Sequence, residues 1–254
     1  MNGLRFLFRV VWFVVELIGF ACDFAMRSIT HGGRLPQSER SRWLQRSSRR
    51  TLKVFSVVTE ASGVPPRTGL LVTNHLSYLD ILMLVSLVPA VFVSKSEVKS
   101  WPVFGWFARL AGTLFVDRTR RSDVSRMNSE IERVLNNGDV LVLFPEGTSW
   151  NGSEVLPFKS SLLEPIVGST HPLTVAHISY SLADGDAAND ICYWGDATFV
   201  PHLMKLMTKR QIKARASSFR SAARFFTGAK LTRALICVFV ISFIKCGKNV
   251  ASPQ

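Results

Sequence analysis

Three short runs of this chain are apolar at consecutive positions rather than at alternate ones: Gly69–Thr73 (GLLVT), Pro89–Ser94 (PAVFVS) and Asp139–Phe144 (DVLVLF). A strand with one wet face alternates, whereas a strand apolar throughout needs cover on both sides, as in a parallel sheet sandwiched between helices. Segments with helical spacing separate the runs: Asp80–Leu87, a stretch near Trp101–Ala108, and Arg121–Asn136. The last carries Val124, Met127, Ile131, Val134 and Leu135 on one side and stops at Asn137-Gly138. Thr113–Val116 reads as a further short strand. The expected fold is therefore α/β, with a mostly parallel central sheet flanked by helices. Function in such sheets gathers beyond the carboxyl ends of the strands. Two polar groups stand there, Asn74-His75 after the first run and Pro145-Glu146-Gly147-Thr148-Ser149 after the third.

The 254 residues suit one large domain, or one medium domain with a helical appendage. Hydrophobic residues make up 47% of the chain, mean hydropathy is +0.20, and the formal charge is +13. The basic residues cluster. Arg34, Arg40, Arg42, Arg46, Arg49, Arg50 and Lys53 face one acid, Glu39, and the segment from Lys205 to Lys230 is basic and acid-free. Such clusters admit a solvated face, a nucleic-acid footprint or an anionic lipid surface. Each lies beside a long apolar run, which favours lipid and gives no reason to expect nucleic acid. Cys22, Cys192, Cys237 and Cys246 show no zinc spacing and no disulfide-scaffold density, so a reducing compartment is expected and no metal is implied.

From Phe6 to Ala25 the chain is nearly all apolar. Glu16, Asp23 and Arg27 disfavour a cleaved signal peptide. On a helix, Asn2, Arg5, Arg9, Glu16, Asp23 and Arg27 fall within an arc of about 60°. A polar stripe on a broad apolar surface fits a helix lying in the headgroup layer, a helix packed on protein, or a spanning helix whose stripe faces protein. The expected organisation is a membrane-associated helix and basic segment over 1–50, a catalytic region over 51–218, and a basic and apolar tail over 219–254. Within that tail the apolar run 235–244 is too short to cross a bilayer alone and reads as a buried strand, a helix face or a second membrane contact.

His75 and Asp80 stand five apart. A neutral imidazole takes a hydroxyl proton near pH 7, and a carboxylate can hold its other nitrogen. That spacing demands that His75 lie in the turn before the helix carrying Asp80; taken alone it is equally a structural histidine beside a helix-cap aspartate. Ser77 lacks the glycine frame of an activated serine, so direct attack by an alcohol is favoured over a covalent intermediate. Arg118 offers a planar fork suited to phosphate, or is a solvated strand-end cation. Glu146 reads as an acceptor for substrate hydroxyls, a partner of Arg118, or a turn acid. Gly147 lets backbone approach a ligand closely.

Asn74-His75-Leu76-Ser77-Tyr78-Leu79-Asp80 resembles the NHxxxxD motif of the glycerolipid and lysophospholipid acyltransferase family. The blocks Gly112-Thr113-Leu114-Phe115-Val116-Asp117-Arg118 and Phe144-Pro145-Glu146-Gly147-Thr148-Ser149 follow in the family's order, with Lys95 and Trp101–Gly105 between, over roughly residues 55–200. The resemblance implies that His75 is the general base, that Asp80 is its partner, and that Gly112, Arg118, Glu146, Gly147 and Thr148 surround the acceptor. It implies an acyl donor carried by coenzyme A or acyl carrier protein, no tightly bound cofactor, and a lysophospholipid acceptor. It also implies a helical membrane-binding start, and the basic segment 34–53 places anionic lipid on the cytoplasmic face of that membrane, expected to be a bacterial inner membrane. The acceptor expected first is 1-acyl-sn-glycerol-3-phosphate, giving phosphatidic acid. The sequence also departs from the commoner pattern: Ser149-Trp150, Lys159-Ser160-Ser161, and Tyr193-Trp194-Gly195-Asp196 with Pro201-His202. The last of these arrangements looks more like the branch that acylates lyso-ornithine lipid, with His202 structural or part of the groove. A non-catalytic basic membrane-binding protein is the remaining alternative.

Overall fold

The computed structural model describes residues 3–117, 120–159, 161, 163, 164, 167 and 169–222; Arg118 and the tail from 223 onward, including the run 235–244, lie outside the described residues. The chain opens with helices α1 (Gly3–Thr30) and α2 (Gln37–Val54), then strands β1 (Val57–Gly63) and β2 (Gly69–Thr73) and helix α3 (Leu79–Leu87). Strand β3 (Val91–Lys95), a 3-10 turn (Ser96–Ser100), α4 (Phe104–Leu110), β4 (Leu114–Val116), α5 (Arg121–Asn136) and β5 (Val140–Leu143) follow. Strand β6 (Leu173–Leu182), α6 (Ala187–Asp190), α7 (Phe199–Thr208) and β7 (Ile212–Ala222) complete it.

The strands form one sheet in the order β1-β7-β6-β2-β5-β3-β4. Strands β6, β2, β5, β3 and β4 run parallel, and β2 sits centrally with Leu71 opposite Val142 on one side and Thr174 on the other. Strand β7 enters antiparallel to β6, and β1 pairs parallel with β7. The sheet is therefore mixed, which corrects the mostly parallel reading at one end. The missed strand carries period-2 alternation: Ile212, Ala214 and Ala216 are buried while Lys213 and Arg215 are exposed. Small buried residues and flanking cations hid that pattern inside what reads as a basic cluster. Even its charge is partly neutralised, since Arg215 meets Glu60 of β1 at 2.8 Å.

Both faces of the sheet are covered. Leu70 and Val72 of β2, with Leu141 and Leu143 of β5, pack on Met127, Ile131, Val134 and Leu135 of α5. Leu71, Val142, Ala176 and Ile178 face the other way, onto Leu79, Met83 and Leu84 of α3 and Leu203 and Leu206 of α7. Consecutive residues of one strand serve opposite layers, which is why the strands show no polar alternation.

Helix α1 is inverted relative to an ordinary surface helix. Arg9, Phe13, Glu16 and Phe20 form its buried side, whereas Leu7, Phe8, Val11, Val15 and Ile18 are exposed. Arg9 donates to the carbonyls of Met207 at 2.9 Å and Lys209 at 2.5 Å, and to Ser56 Oγ. Glu16 takes Trp12 Nε1 at 3.0 Å and pairs with Arg50 at 2.7 Å. The polar stripe thus faces protein. No helix among the described residues is long and apolar enough to cross a membrane, because charged residues recur along α1, and this removes the spanning reading.

Arginines from the first two helices cap three helix C-termini, where unpaired carbonyls and the helix dipole favour a cation. Arg9 serves α7, Arg40 reaches Leu110 O of α4 at 2.8 Å, and Arg49 reaches Ser86 O of α3 at 2.8 Å. Arg42, Arg46 and Arg50 pair with Glu39, Asp23 and Glu16. Much of the basic segment that its composition directs toward lipid is therefore bound within the protein.

Candidate active site

Strand β2 ends at Thr73, and the Asn74 side chain continues the sheet: its Nδ2 donates to Ile178 O at 3.0 Å and its Oδ1 accepts Ile178 N at 2.7 Å. This two-way pairing pins the start of the loop to β6. His75 comes next, and Asp80 lies in the first turn of α3. The Asp80 carboxylate reaches back along the loop, where Oδ2 accepts the N–H groups of Leu76 at 2.6 Å and Ser77 at 3.0 Å. The same oxygen meets His75 Nδ1 at 2.8 Å. So the spacing of five works because His75 precedes the helix and the aspartate staples the intervening turn. Asp80 is fully buried while His75 keeps 18% exposure, so the ring nitrogen left over, Nε2, is the one available to a substrate proton.

Three neighbours hold His75, one through its ring and two through its backbone. Phe144, at the end of β5, stacks on it with centroids 4.0 Å apart and planes 17° from parallel. Trp150 N–H donates to His75 O at 3.0 Å. Glu146, 5% exposed, accepts the backbone N–H of His75 and of Leu156. Burial pushes the Glu146 carboxyl up to about 7, the two N–H bonds oppose that, and nearby Asp80 adds to it. The block after β5 thus grips the block after β2.

A cavity of about 350 Å³ opens beside His75. Its walls are mostly apolar: Phe13, Leu17 and Phe20 of α1, Trp43 and Leu44 of α2, Phe104 and Phe107 of α4, with Tyr78, Tyr193, Phe199 and Leu203. Gly147, Thr148 and Lys95 also line it. Of the residues singled out from the sequence, His75, Asp80, Glu146, Gly147 and Thr148 are gathered here. Glu146 lies behind His75 rather than in the cavity wall. Gly112, with φ of 78°, holds the left-handed backbone that favours glycine, with the flexible end of Gln37 of α2 beside it. Gln37 itself donates to Ala111 O at 3.1 Å. His202 is buried, and its Nδ1 lies 2.9 Å from Tyr78 Oη; burial lowers its pKa. Among the described residues no group of three or more His, Cys, Asp or Glu side chains is placed to hold a metal ion.

Residues missed in the sequence are Tyr180, whose hydroxyl donates to Asp80 Oδ1 at 2.6 Å, and the aromatic residues of α1 and α2 in the cavity wall. A signal for Tyr180 existed. A tyrosine inside a buried strand such as LTVAHISYSL needs a partner for its hydroxyl. Nothing in the sequence identified that partner.

A buried aspartate thus holds a histidine at the rim of an apolar cavity. The Acyltransferase family matches residues 56–180. The chain is 39% identical over 153 residues to a lyso-ornithine lipid O-acyltransferase of Rhizobium meliloti, covering 56% of this chain and 52% of that one. It therefore spans about half the length of that relative. A lyso-ornithine lipid O-acyltransferase of Pseudomonas aeruginosa is 33% identical over 204 residues, covering 78% and 76%. The crystal structure of the 1-acyl-sn-glycerophosphate (LPA) acyltransferase from Thermotoga maritima shares the fold, with a TM-score of 0.65, 17% identity and full coverage of both chains. The chain belongs to the glycerolipid and lysophospholipid acyltransferase family of enzymes.

Proposed function

We propose that this protein transfers an acyl group from a thioester of coenzyme A or acyl carrier protein to the free hydroxyl of a lyso-lipid, with lyso-ornithine lipid as the acceptor. The observation that carries the reaction is the His75–Asp80 pair at 2.8 Å on the rim of an apolar cavity. His75 takes the hydroxyl proton, the freed oxygen attacks the thioester carbonyl, the carbon–sulfur bond breaks, and the leaving thiolate takes the proton from the imidazolium. Asp80 stabilises that imidazolium. The apolar wall holds an acyl chain, so binding both amphiphiles at His75 supplies much of the rate.

The acceptor rests on different support. The sequence puts 1-acyl-sn-glycerol-3-phosphate first, but the two relatives compared above act, by name, on lyso-ornithine lipid, and the Tyr193–Asp196 departure points the same way. The exposed apolar side of α1 supports attachment in the headgroup layer of a membrane.

The test is incubation of the purified protein with labelled acyl-coenzyme A or acyl carrier protein and a panel of lyso-lipids, with products identified by mass. Esterified ornithine lipid and released thiol are expected, and His75→Ala should lower the rate by about 10²–10⁴-fold. Phosphatidic acid as the sole product would overturn the acceptor assignment. No ester from either donor, or full activity in His75→Ala, would overturn the mechanism.

A further inference from the structure

The two oxygens of Asp80 are treated unequally. Oδ2 carries Leu76 N, Ser77 N and His75 Nδ1, while among the described residues Oδ1 meets one group, the hydroxyl of Tyr180 at 2.6 Å. Tyr180 stands on β6, two residues beyond the Ile178 backbone that Asn74 grips, so the same strand that pins the loop also supplies the phenol. Burial, and then the neighbouring Asp80 carboxylate, push the phenol well above its ordinary pKa, so it stays protonated and donates. Because Asp80 is fully buried, each bond to its charge weighs more than it would in water.

We propose that Tyr180 is a positioning residue for the proposed acyl transfer: its hydroxyl locks the rotation of the Asp80 carboxylate and shares its negative charge, setting how strongly His75 holds a proton. The bond divides the carboxylate's work, with one oxygen for the loop and the imidazole and the other for the phenol. Without that donor both oxygens compete for the same three N–H groups, and more charge is left to stabilise the imidazolium.

Removing the hydroxyl should therefore make His75 hold its proton to higher pH. The other ionisable groups coupled to Asp80 are Glu146 after β5 and Cys192 after α6, and Tyr78 at the start of α3 is coupled to Tyr180. All three are unchanged in Tyr180→Phe, so the difference between variant and parent isolates the phenol.

This inference rests on the base assignment, and its first test needs no turnover. NMR titration of the His75 imidazole in substrate-free protein should show the midpoint in Tyr180→Phe moved upward by about half to one pH unit. In the acyl-transfer assay the acidic limb of kcat/KM should move the same way, while the unlocked carboxylate holds the imidazole less well in line, so that kcat falls about tenfold with KM within about twofold. In an Asp80→Asn background, Tyr180→Phe should cost nothing further in kcat, because the partner charge is already gone. An unmoved His75 titration, a variant that fails to fold, or effects additive with Asp80→Asn would each assign the hydroxyl to packing and overturn the proposal. A shifted titration in a protein that transfers no acyl group would uphold the coupling and sink the proposed reaction instead.

Discussion

Helices α1 and α5 both lie against the central body of the protein, and they spend their side chains in opposite ways. Helix α5 buries Met127, Ile131, Val134 and Leu135 and turns its charged residues outward. Helix α1 buries Arg9 and Glu16 and turns Leu7, Val11, Val15 and Ile18 outward. Water explains the first arrangement completely, since apolar area leaves it. The second buries Phe13 and Phe20 beside those charges and holds the charges because Arg9 finds the open carbonyls of α7 and Glu16 finds Arg50, and its outward face suits a lipid neighbour. The two sides of the sheet differ accordingly. The buried cluster against α5 gathers aliphatic side chains and Met127, whereas the cavity and the His75–Asp80 pair lie toward the carboxyl edge and the first two helices.

The sharpest way to break this contrast is Ile131→Ala. Ile131 has no exposure and no polar role, so its truncation should cost roughly 2–5 kcal/mol of stability in denaturant unfolding. Activity per folded molecule should be unchanged; a fall in kcat at full folding would show that the α5 side also shapes the site.

Glu146 should give the next largest effect. Its folded carboxyl titrates at about 7, above the ordinary value of 4.5, so the folded state binds more protons than the unfolded chain between those values. Stability from this group is present at low pH and is lost as pH rises through about 7, on the order of 3 kcal/mol across the window. Replacing it in Glu146→Gln should flatten the pH dependence of unfolding between 4.5 and about 7 relative to the parent. An identical slope in the variant would mean that the carboxyl is not held as described.

The smallest effect on stability belongs to the outward face of α1. Exchanging Val11, Val15 and Ile18 together for serine should move unfolding by no more than about 0.5 kcal/mol per site, because these side chains are already in solvent. Co-sedimentation with anionic vesicles should nevertheless fall severalfold. Unchanged recovery would remove this face as the lipid contact, leaving the inversion of α1 without a function.

The contrast also explains what was legible. Helix α5 and strand β2 were read with the boundaries observed, Arg121–Asn136 and Gly69–Thr73, because their patterns follow from burial in a sandwiched sheet. Strand β7 was missed because alanines and cations blurred its alternation, and β1 is an edge strand with only Val57 buried. The protein partners of the cations between Arg40 and Arg50 are not legible for a related reason. Charge is visible in a sequence, but the carbonyls of α3 and α4 that attract it are assembled only by the fold.

At the site the division is clearest. The sequence by itself determined the chemistry on offer: a histidine and an aspartate beside a strand end, a Phe-Pro-Glu-Gly block beside another, and an apolar, polar-striped first helix. Those follow from local pattern, since strand ends, turns and helix faces are set within a few residues. Only the tertiary structure decided which way the stripe faces, that Glu146 grips the backbone of His75, and that Tyr180, a hundred residues downstream, closes on Asp80. Each of these is a long-range contact between buried polar groups, and such a partner is specified by the packing of whole elements rather than by the residues on either side.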